Sequence, residues 1–238
     1  MSASVVLPTY NEREAVVPLV REVLAAVAEA EVVVVDDDSP DRTWAAVEEA
    51  FAGDPRVRVL RRIGRRGLPS ALAEGLALAK GEALVWLDSD GSMPAAVIPS
   101  LLARLDEAEV ALASRYAPGG QDARASRLRV WTSRLINAFA ACLLGGGIRD
   151  YTSGFVAVRR AVLDRVPLPT HCAYGEYCIE FLHRARRAGL RVVEVPYRCV
   201  ERRAGETKTS PDPWRFLGLG LRYGATVIRL ALGADRRG

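Results

Sequence analysis

Histidine is nearly absent from this chain: His171 and His183 are the only two. Two lone histidines at that spacing read as structural or surface residues, so a histidine-based metal centre is not expected. Cysteine is sparse as well. Cys142, Cys172, Cys178 and Cys199 form no Cys-x-x-Cys pair, which excludes a zinc knuckle and favours a reducing compartment. Long apolar runs are missing. The longest uncharged stretch, Leu135 to Ile148, has fourteen residues, and a bilayer-spanning helix needs about 20. No dense Lys/Arg tract and no base-stacking aromatic motif point to nucleic acid. No signal peptide is read before the first strand, near Ser4, so the chain is expected in the cytoplasm.

The chain has 238 residues, half of them hydrophobic, and a formal net charge of +4. That supports a sizeable core and suits an anionic partner such as a nucleotide, a lipid phosphate or a membrane surface. Apolar segments alternate with helical patterns through the first half. "SVVLP", "EVVVVDD", "VRVLRR", "ALVWL" and "EVALASR" read as strands, with helices between them. This alternation predicts an α/β fold with a mostly parallel sheet covered on both faces. The second half is less regular. Gly119–Gly120 reads as a break, Leu128 to Cys142 as an amphipathic helix, and "SGFVAVRR" and "LRVVEVPYRCV" as strands flanking a helix over 176–188. The segment 201–211 reads as a polar loop.

Right-handed crossovers place the strand C-termini on one edge, where ligands of such sheets bind. "PTYNE", "DDDSPD", "DSDGS" and "SRY" follow successive strands and gather on that edge. The most pointed of these is the turn after "ALVWL", with Asp88 and Asp90 one residue apart and Gly91 next. Two carboxylates at that spacing suit a hard divalent cation that keeps phosphate oxygens as further ligands. The same spacing also suits a turn that caps the next helix, and the residues alone leave both readings standing. For Asp36 and Asp37, helix capping is likewise the alternative.

Taken together, "VVLPTYNE", "VVVVDDDSPDRT", "LDSDGS" and "ASRY" resemble family 2 of the inverting glycosyltransferases, with the GT-A (Rossmann-like) fold, and within it the dolichol-phosphate (polyprenol-phosphate) mannose synthases. The likeness runs on through "RLRVWTSRLIN", "DYTSGFVAVRR", "VVEVPYR" and "RRAGETK". It implies one catalytic domain over 1–211, with a nucleotide-binding half (1–118) and an acceptor-binding half (119–211), followed by a C-terminal amphipathic segment over 212–238. It implies transfer of mannose from GDP-mannose, with inversion, to a polyprenyl phosphate at the inner membrane face, assisted by Mg²⁺ or Mn²⁺. Glucosyl or N-acetylhexosaminyl transfer from a UDP-sugar, to polyprenyl phosphate or to a sugar hydroxyl, is the alternative.

Residue by residue, the resemblance implies that Pro8, Tyr10, Glu12, Val35 and Asp37 surround the base and ribose. Asp88, Ser89 and Asp90 form the metal and diphosphate loop, and Ser92 adds an oxygen ligand. Arg115, Arg129, Arg202 and Lys208 contact donor or acceptor phosphates, and Asp150 sits near the sugar. Asp88, Asp90, Arg115 and Arg129 are the implied catalytic set. One departure stands out: some relatives carry a Lys in the segment aligned with "YGEYCIEF", where this chain has Glu176 and Glu180. A nucleotidyltransferase is a competing class, but its Gly-rich stretch after the first strand is missing here. A catalytically dead partner subunit sits poorly with an intact Asp88 and Asp90.

A phosphate-monoester acceptor, already largely dianionic at neutral pH, needs no protein base. That fits a rim on which the sequence places no histidine. Trp214, Leu217, Leu221 and Ile228 form an apolar stripe beside arginines 215, 222 and 229, the pattern of a helix lying in a membrane interface, with Arg124, Arg127 and Arg134 adding to it.

Overall fold

In the computed structural model, residues 1–145, 147–203 and 213–233 are described, with the backbone alone for 213–216. Lys208, and with it the loop expected over 201–211 beyond Arg203, lies outside the described residues.

The elements alternate as expected through the first half. They run β1 (Ala3–Thr9), α1 (Arg13–Ala26), β2 (Glu31–Asp36), α2 (Thr43–Ala50), β3 (Val57–Arg61), α3 (Leu68–Leu78) and β4 (Ala83–Trp86). A 3₁₀ turn (Ala95–Val97), α4 (Ile98–Arg104) and β5 (Val110–Ser114) follow. The second half contains β6 (Gln121–Asp122), α5 (Arg127–Leu144), β7 (Val156–Arg159), α6 (Ala161–Arg165), α7 (Glu176–Arg187), β8 (Val192–Pro196), β9 (Arg198–Cys199) and α8 (Pro213–Ala231).

Seven strands form one sheet in the order β3-β2-β1-β4-β7-β5-β8. All pairings are parallel except those of β7, which runs against both β4 and β5. The domain is therefore a single α/β layer structure with a mostly parallel sheet. The valines of β2 and the four residues of β4 are buried on both faces, as strands covered on each side must be. One core packs α1, α2 and α4 against the sheet. The other packs α3, α5, α7 and α8 against the opposite face. Gly75 lets α3 approach closely: a Cβ there would stand 2.5 Å from Val6 and 2.6 Å from Val35.

The segment read as one strand, "LRVVEVPYRCV", is two. The chain leaves the main sheet after Pro196, where Tyr197 donates its N–H to Ser114 O (3.1 Å). β9 then pairs with β6 in a small separate sheet above the rim. Gly119 (φ +91°) turns the chain into that sheet, and a Cβ on Gly120 would collide with Ser114 O at 2.5 Å.

The side chains of Trp214 and Arg215 lie outside the described residues, and the other two C-terminal arginines differ from the expected stripe. Arg222 reaches Glu176 at 3.0 Å, and Arg229 hydrogen-bonds Glu180. Glu176 and Glu180 are buried neighbours one turn apart on α7. The two residues that stand in the segment where some relatives carry Lys thus clamp α8 to the domain. Two arginines of the stripe turn toward α7 because buried carboxylates there require a cation.

Candidate active site

A cavity of about 600 Å³ opens at the C-terminal edge of the sheet. Its walls come from the loops after β1, β2, β4 and β5, from one side of α5, from the turn before α7, and from α8.

The acidic turn forms part of its floor. Asp88, Ser89, Asp90 and Ser92 all line the cavity. The turn is fixed from three sides. Ser89 donates its hydroxyl to Pro8 O (2.8 Å), tying it to the end of β1. Asp90 Oδ1 accepts the N–H of Ser92 (2.9 Å), so one carboxylate oxygen shapes the turn itself. Ser92 O and Asp90 O accept the N–H groups of Val200 (3.0 Å) and Arg203 (3.0 Å), which dock the segment after β9 onto the loop. Gly91 is needed on two counts. Its φ is +77°, and a Cβ would meet the Arg203 side chain at 2.6 Å. Two carboxylates and a serine hydroxyl, all hard oxygen donors, fit Mg²⁺ or Mn²⁺ with phosphate completing the shell.

Pro8, Tyr10, Glu12 and Asp37 also line the cavity. Asp37 takes the N–H of Gly67 (2.8 Å) and faces Arg62, itself 2% exposed, at 2.9 Å. Burial pushes the Asp37 carboxyl up, outweighing the lowering effects of the Gly67 N–H and Arg62. Asp36 is not a ligand-facing group. Its carboxylate accepts from Ser39 N (2.8 Å), Ser39 Oγ (2.7 Å) and Thr9 Oγ1 (2.7 Å), holding the turn after β2. Glu12 receives Arg202 Nη2 at 3.0 and 3.1 Å on its two oxygens, a contact that bridges the cavity.

Arg115 and Arg129 line the cavity from the side of β5 and α5. Arg115 is engaged by Asp150, which receives its Nε (2.8 Å), its Nη2 (2.6 Å) and its backbone N–H (2.9 Å). Two expected ligand residues therefore sit elsewhere. Asp150 is fully buried behind Arg115 and does not line the cavity, because its carboxylate answers the buried guanidinium. Val35 belongs to the core beneath α3. Arg129 follows the N-cap Ser126, which accepts its N–H at 3.5 Å. Among the described residues no carboxylate pairs with the Arg129 guanidinium, which distinguishes it from Arg115 and Arg202.

Four lining residues escaped the sequence reading: Arg66, Tyr174, Tyr177 and Tyr223. Arg124, expected among the membrane-facing arginines, instead lines the cavity, because the buried Asp122 carboxylate holds it at 2.7 Å. Arg66 lies 3.8 Å over the Tyr10 ring, a stacked pair of the kind that receives a planar base. Burial, reinforced by the charges of Asp88 and Asp90, raises the Tyr174 hydroxyl far above its ordinary range. Tyr174 therefore stays protonated and remains a donor beside the acidic turn.

Among the described residues, one cluster brings three metal-ligating side chains together, and it lies away from this turn: His171, Cys172 and Glu180. Glu180 is already surrounded by Arg184 and Arg229, and burial with the nearby Glu180 charge pushes the Cys172 thiol up to about 12. A cation finds no unneutralised charge there, and the cluster is structural. All four cysteines are free thiols.

Comparison with known proteins places this geometry. The family described as Glycosyl transferase family 2 matches residues 4–166. The chain belongs to glycosyl transferase family 2. It is a glycosyltransferase, and the acidic turn at 88–90, Arg115 and Arg129 all fall within the matched residues. The polyprenol monophosphomannose synthase of Mycolicibacterium smegmatis is 39% identical over 87% of this chain and 80% of its own length. The undecaprenyl-phosphate mannosyltransferase of Micrococcus luteus is 35% identical, covering 88% of each. Among solved structures, the glucosyl-3-phosphoglycerate synthase of Mycobacterium tuberculosis in complex with Mn²⁺ and UDP superposes with a TM-score of 0.71. It covers 98% of this chain and 80% of the other at 22% identity, a likeness of GT-A fold.

Proposed function

We propose that this glycosyltransferase moves mannose from GDP-mannose to the phosphate of a polyprenyl phosphate, with inversion at the anomeric carbon, at the cytoplasmic face of a membrane. The names carried by relatives at 35–39% identity support both the sugar and the acceptor class. The cavity supports the same chemistry. The nucleoside end is assigned to Asp37, Glu12 and the Tyr10–Arg66 pair. The diphosphate is assigned to the turn at 88–90, within reach of Arg202. The acceptor phosphate is assigned to Arg129.

One observation carries the acceptor assignment. Among the described residues that line the cavity there are five arginines, Arg66, Arg115, Arg124, Arg129 and Arg202, and no histidine. A hydroxyl acceptor must lose a proton as it attacks. A phosphate monoester, with a second pKa of about 6, is already a dianion near neutrality. One of its oxygens attacks the anomeric carbon from the face opposite the departing diphosphate. The new C–O bond forms as the old one breaks, GDP leaves with the electron pair, and no proton moves. The protein's part is to align the two phosphates and to stabilise charge on the leaving group. A divalent cation held by Asp88 and Asp90, with Ser92 adjoining, supplies part of that neutralisation when bound. Tyr174, kept protonated, donates toward the same charge.

The test is a matrix of donors and acceptors. GDP-mannose and the UDP-hexoses are each offered with a polyprenyl phosphate and with the corresponding polyprenol. Transfer from GDP-mannose to the phosphate alone is expected. Transfer to the alcohol would overturn the acceptor assignment, and preference for a UDP-sugar would overturn the donor.

A further inference from the structure

α5 and α8 lie side by side on the domain surface, and each carries an apolar face that none of the described residues covers. On α5, Leu128, Trp131, Leu135, Phe139 and Leu143 are exposed, Trp131 and Leu135 each to 70%. Their spacing of three and four residues places them on one face, at about 100° per residue. On α8, Leu217, Leu221 and Ile228 are exposed in the same manner, with Leu232 just beyond its end. Among the described residues, eight of the twelve exposed large hydrophobic side chains therefore sit on these two helices, and Leu232 follows directly after α8. A patch of this kind marks an interaction surface.

Charge selects the partner. Neither helix contains an aspartate or a glutamate. Arg127 and Arg134, seven residues apart, are exposed beside the α5 stripe. Arg222 and Arg229 pair with Glu176 and Glu180 of α7, whereas among the described residues Arg127 and Arg134 of α5 have no carboxylate partner and form the positive flank of the patch. An apolar stripe bordered by arginine, without acids, complements an anionic lipid surface. Trp131 adds an indole, the side chain suited to the boundary between headgroups and acyl chains. The patch is also continuous with the site. Arg129, Thr132 and Ile136 of α5 and Leu219 and Tyr223 of α8 line the cavity, one helical step round from the apolar stripes.

We infer that the exposed faces of α5 and α8 form a docking surface for an anionic lipid bilayer, with Trp131 and Leu135 inserting and Arg127 and Arg134 meeting the headgroups. The choice of occupant rests on the lipid-phosphate reading above. Docked this way, the mouth of the cavity faces the headgroup plane. The acceptor phosphate then reaches Arg129 while its prenyl chain stays among the acyl chains. Among the described residues no helix is long and apolar enough to cross a membrane, so this surface is an in-plane contact.

The experiment uses the full chain and vesicles of phosphatidylcholine with or without phosphatidylglycerol. Flotation is expected with the anionic vesicles and is expected to weaken at high salt. Trp131→Ser/Leu135→Ser should lower vesicle affinity by about 100-fold, the effect of withdrawing two large apolar side chains. Arg127→Glu/Arg134→Glu should abolish the preference for anionic vesicles. Both pairs are solvent-exposed, so the folded state and transfer to a short-chain, water-soluble prenyl phosphate should be unchanged. Wild-type protein that does not float, or variants that float like wild type, would overturn the inference. So would a wild-type dimer that Trp131→Ser/Leu135→Ser dissociates, since a second copy would then own the surface. Vesicle binding that follows this pattern, in an enzyme that transfers to no prenyl phosphate, would support the surface and refute the acceptor assignment.

Discussion

Arg115, in the cavity wall, and Asp150, behind it, form a closed pair: Nε and Nη2 of the arginine meet the two carboxylate oxygens at 2.8 and 2.6 Å, both side chains nearly or fully buried. Desolvation opposes the arginine's charge, but the adjacent Asp150 carboxylate holds its pKa well above the ordinary value. Removing one partner strands a buried charge, at a cost of about 3–5 kcal/mol. Asp150→Asn should therefore lower the urea midpoint sharply. Arg115→Met/Asp150→Leu should restore most of the loss. A double variant as unstable as the single one would show that the pair stabilises through its own attraction and not merely through charge balance.

Two buried carboxylates are displaced in opposite directions, and this gives acid stability a signature. Burial raises Asp37, so the folded state holds its proton more tightly than the unfolded chain does. The Asp37 contribution to stability is present at low pH and is lost as pH rises through its folded value. For Asp122, burial acts upward, but the hydrogen bonds and charge of Arg124, with Arg115, outweigh it and hold the carboxyl below its usual range. Its contribution is present above the unfolded value and is lost as pH falls. In urea titrations between pH 3 and pH 7, Asp122→Asn should be most destabilised at the upper end and converge on wild type at the lower. Asp37→Asn should lack the decline that wild-type Asp37 contributes as pH rises.

The clamp between α7 and α8 is open to a dynamic test. Glu180 is fully buried and meets His171, Arg184 and Arg229. Glu180→Gln should loosen α8, seen as faster amide exchange over 217–232 with exchange in β1 and β4 unchanged. Because Tyr223 of α8 lines the cavity, KM for the acceptor should rise more than kcat falls. Uniform acceleration of exchange across the sheet would instead mean that the whole domain had been destabilised.

Much of this was legible in the chain itself, for a definite reason. The strands are short apolar runs, and whatever follows each of them must lie on the same edge of a parallel sheet. Tyr10, Asp37 and Asp90 could therefore be brought together from sequence order and handedness. What escaped depended on contacts between distant segments. Trp86 holds Tyr177, another cavity-lining residue, across 91 residues of sequence, and the buried Arg62 braces the cavity wall through Asp37 and Gly67. Periodicity revealed the seven-residue repeat of Arg222 and Arg229 but not its direction. Their partners lie 46 and 49 residues upstream on α7. Asp150 was placed near the sugar by family resemblance alone, and the buried Arg115 that claims its carboxylate is not visible in local pattern. The antiparallel course of β7 was likewise hidden, since a strand's direction leaves no mark in its own composition.

Ser89 and Gly91 make the acidic turn a rigid device, and Gly91→Ala tests that. At φ +77°, with Arg203 packed where a Cβ would stand, alanine must displace both the turn and the segment after β9. Donor affinity should fall by about 10-fold or more, the scale seen when the support of a ligand loop is disturbed. Thermal stability should change little by comparison. Unaltered donor affinity would mean that the turn tolerates movement and does not position the diphosphate.

The central claim is that the carboxylates at 88–90 hold a divalent cation against the donor's diphosphate. Titration calorimetry of GDP-mannose into the protein, with and without Mn²⁺, measures this directly. Wild type should bind the donor much more tightly with Mn²⁺. Asp90→Asn should keep its fold, lose that metal-dependent gain, and fall by about 100-fold or more in kcat. An Asp90→Asn protein whose donor binding still strengthens with Mn²⁺ as in wild type would contradict the account.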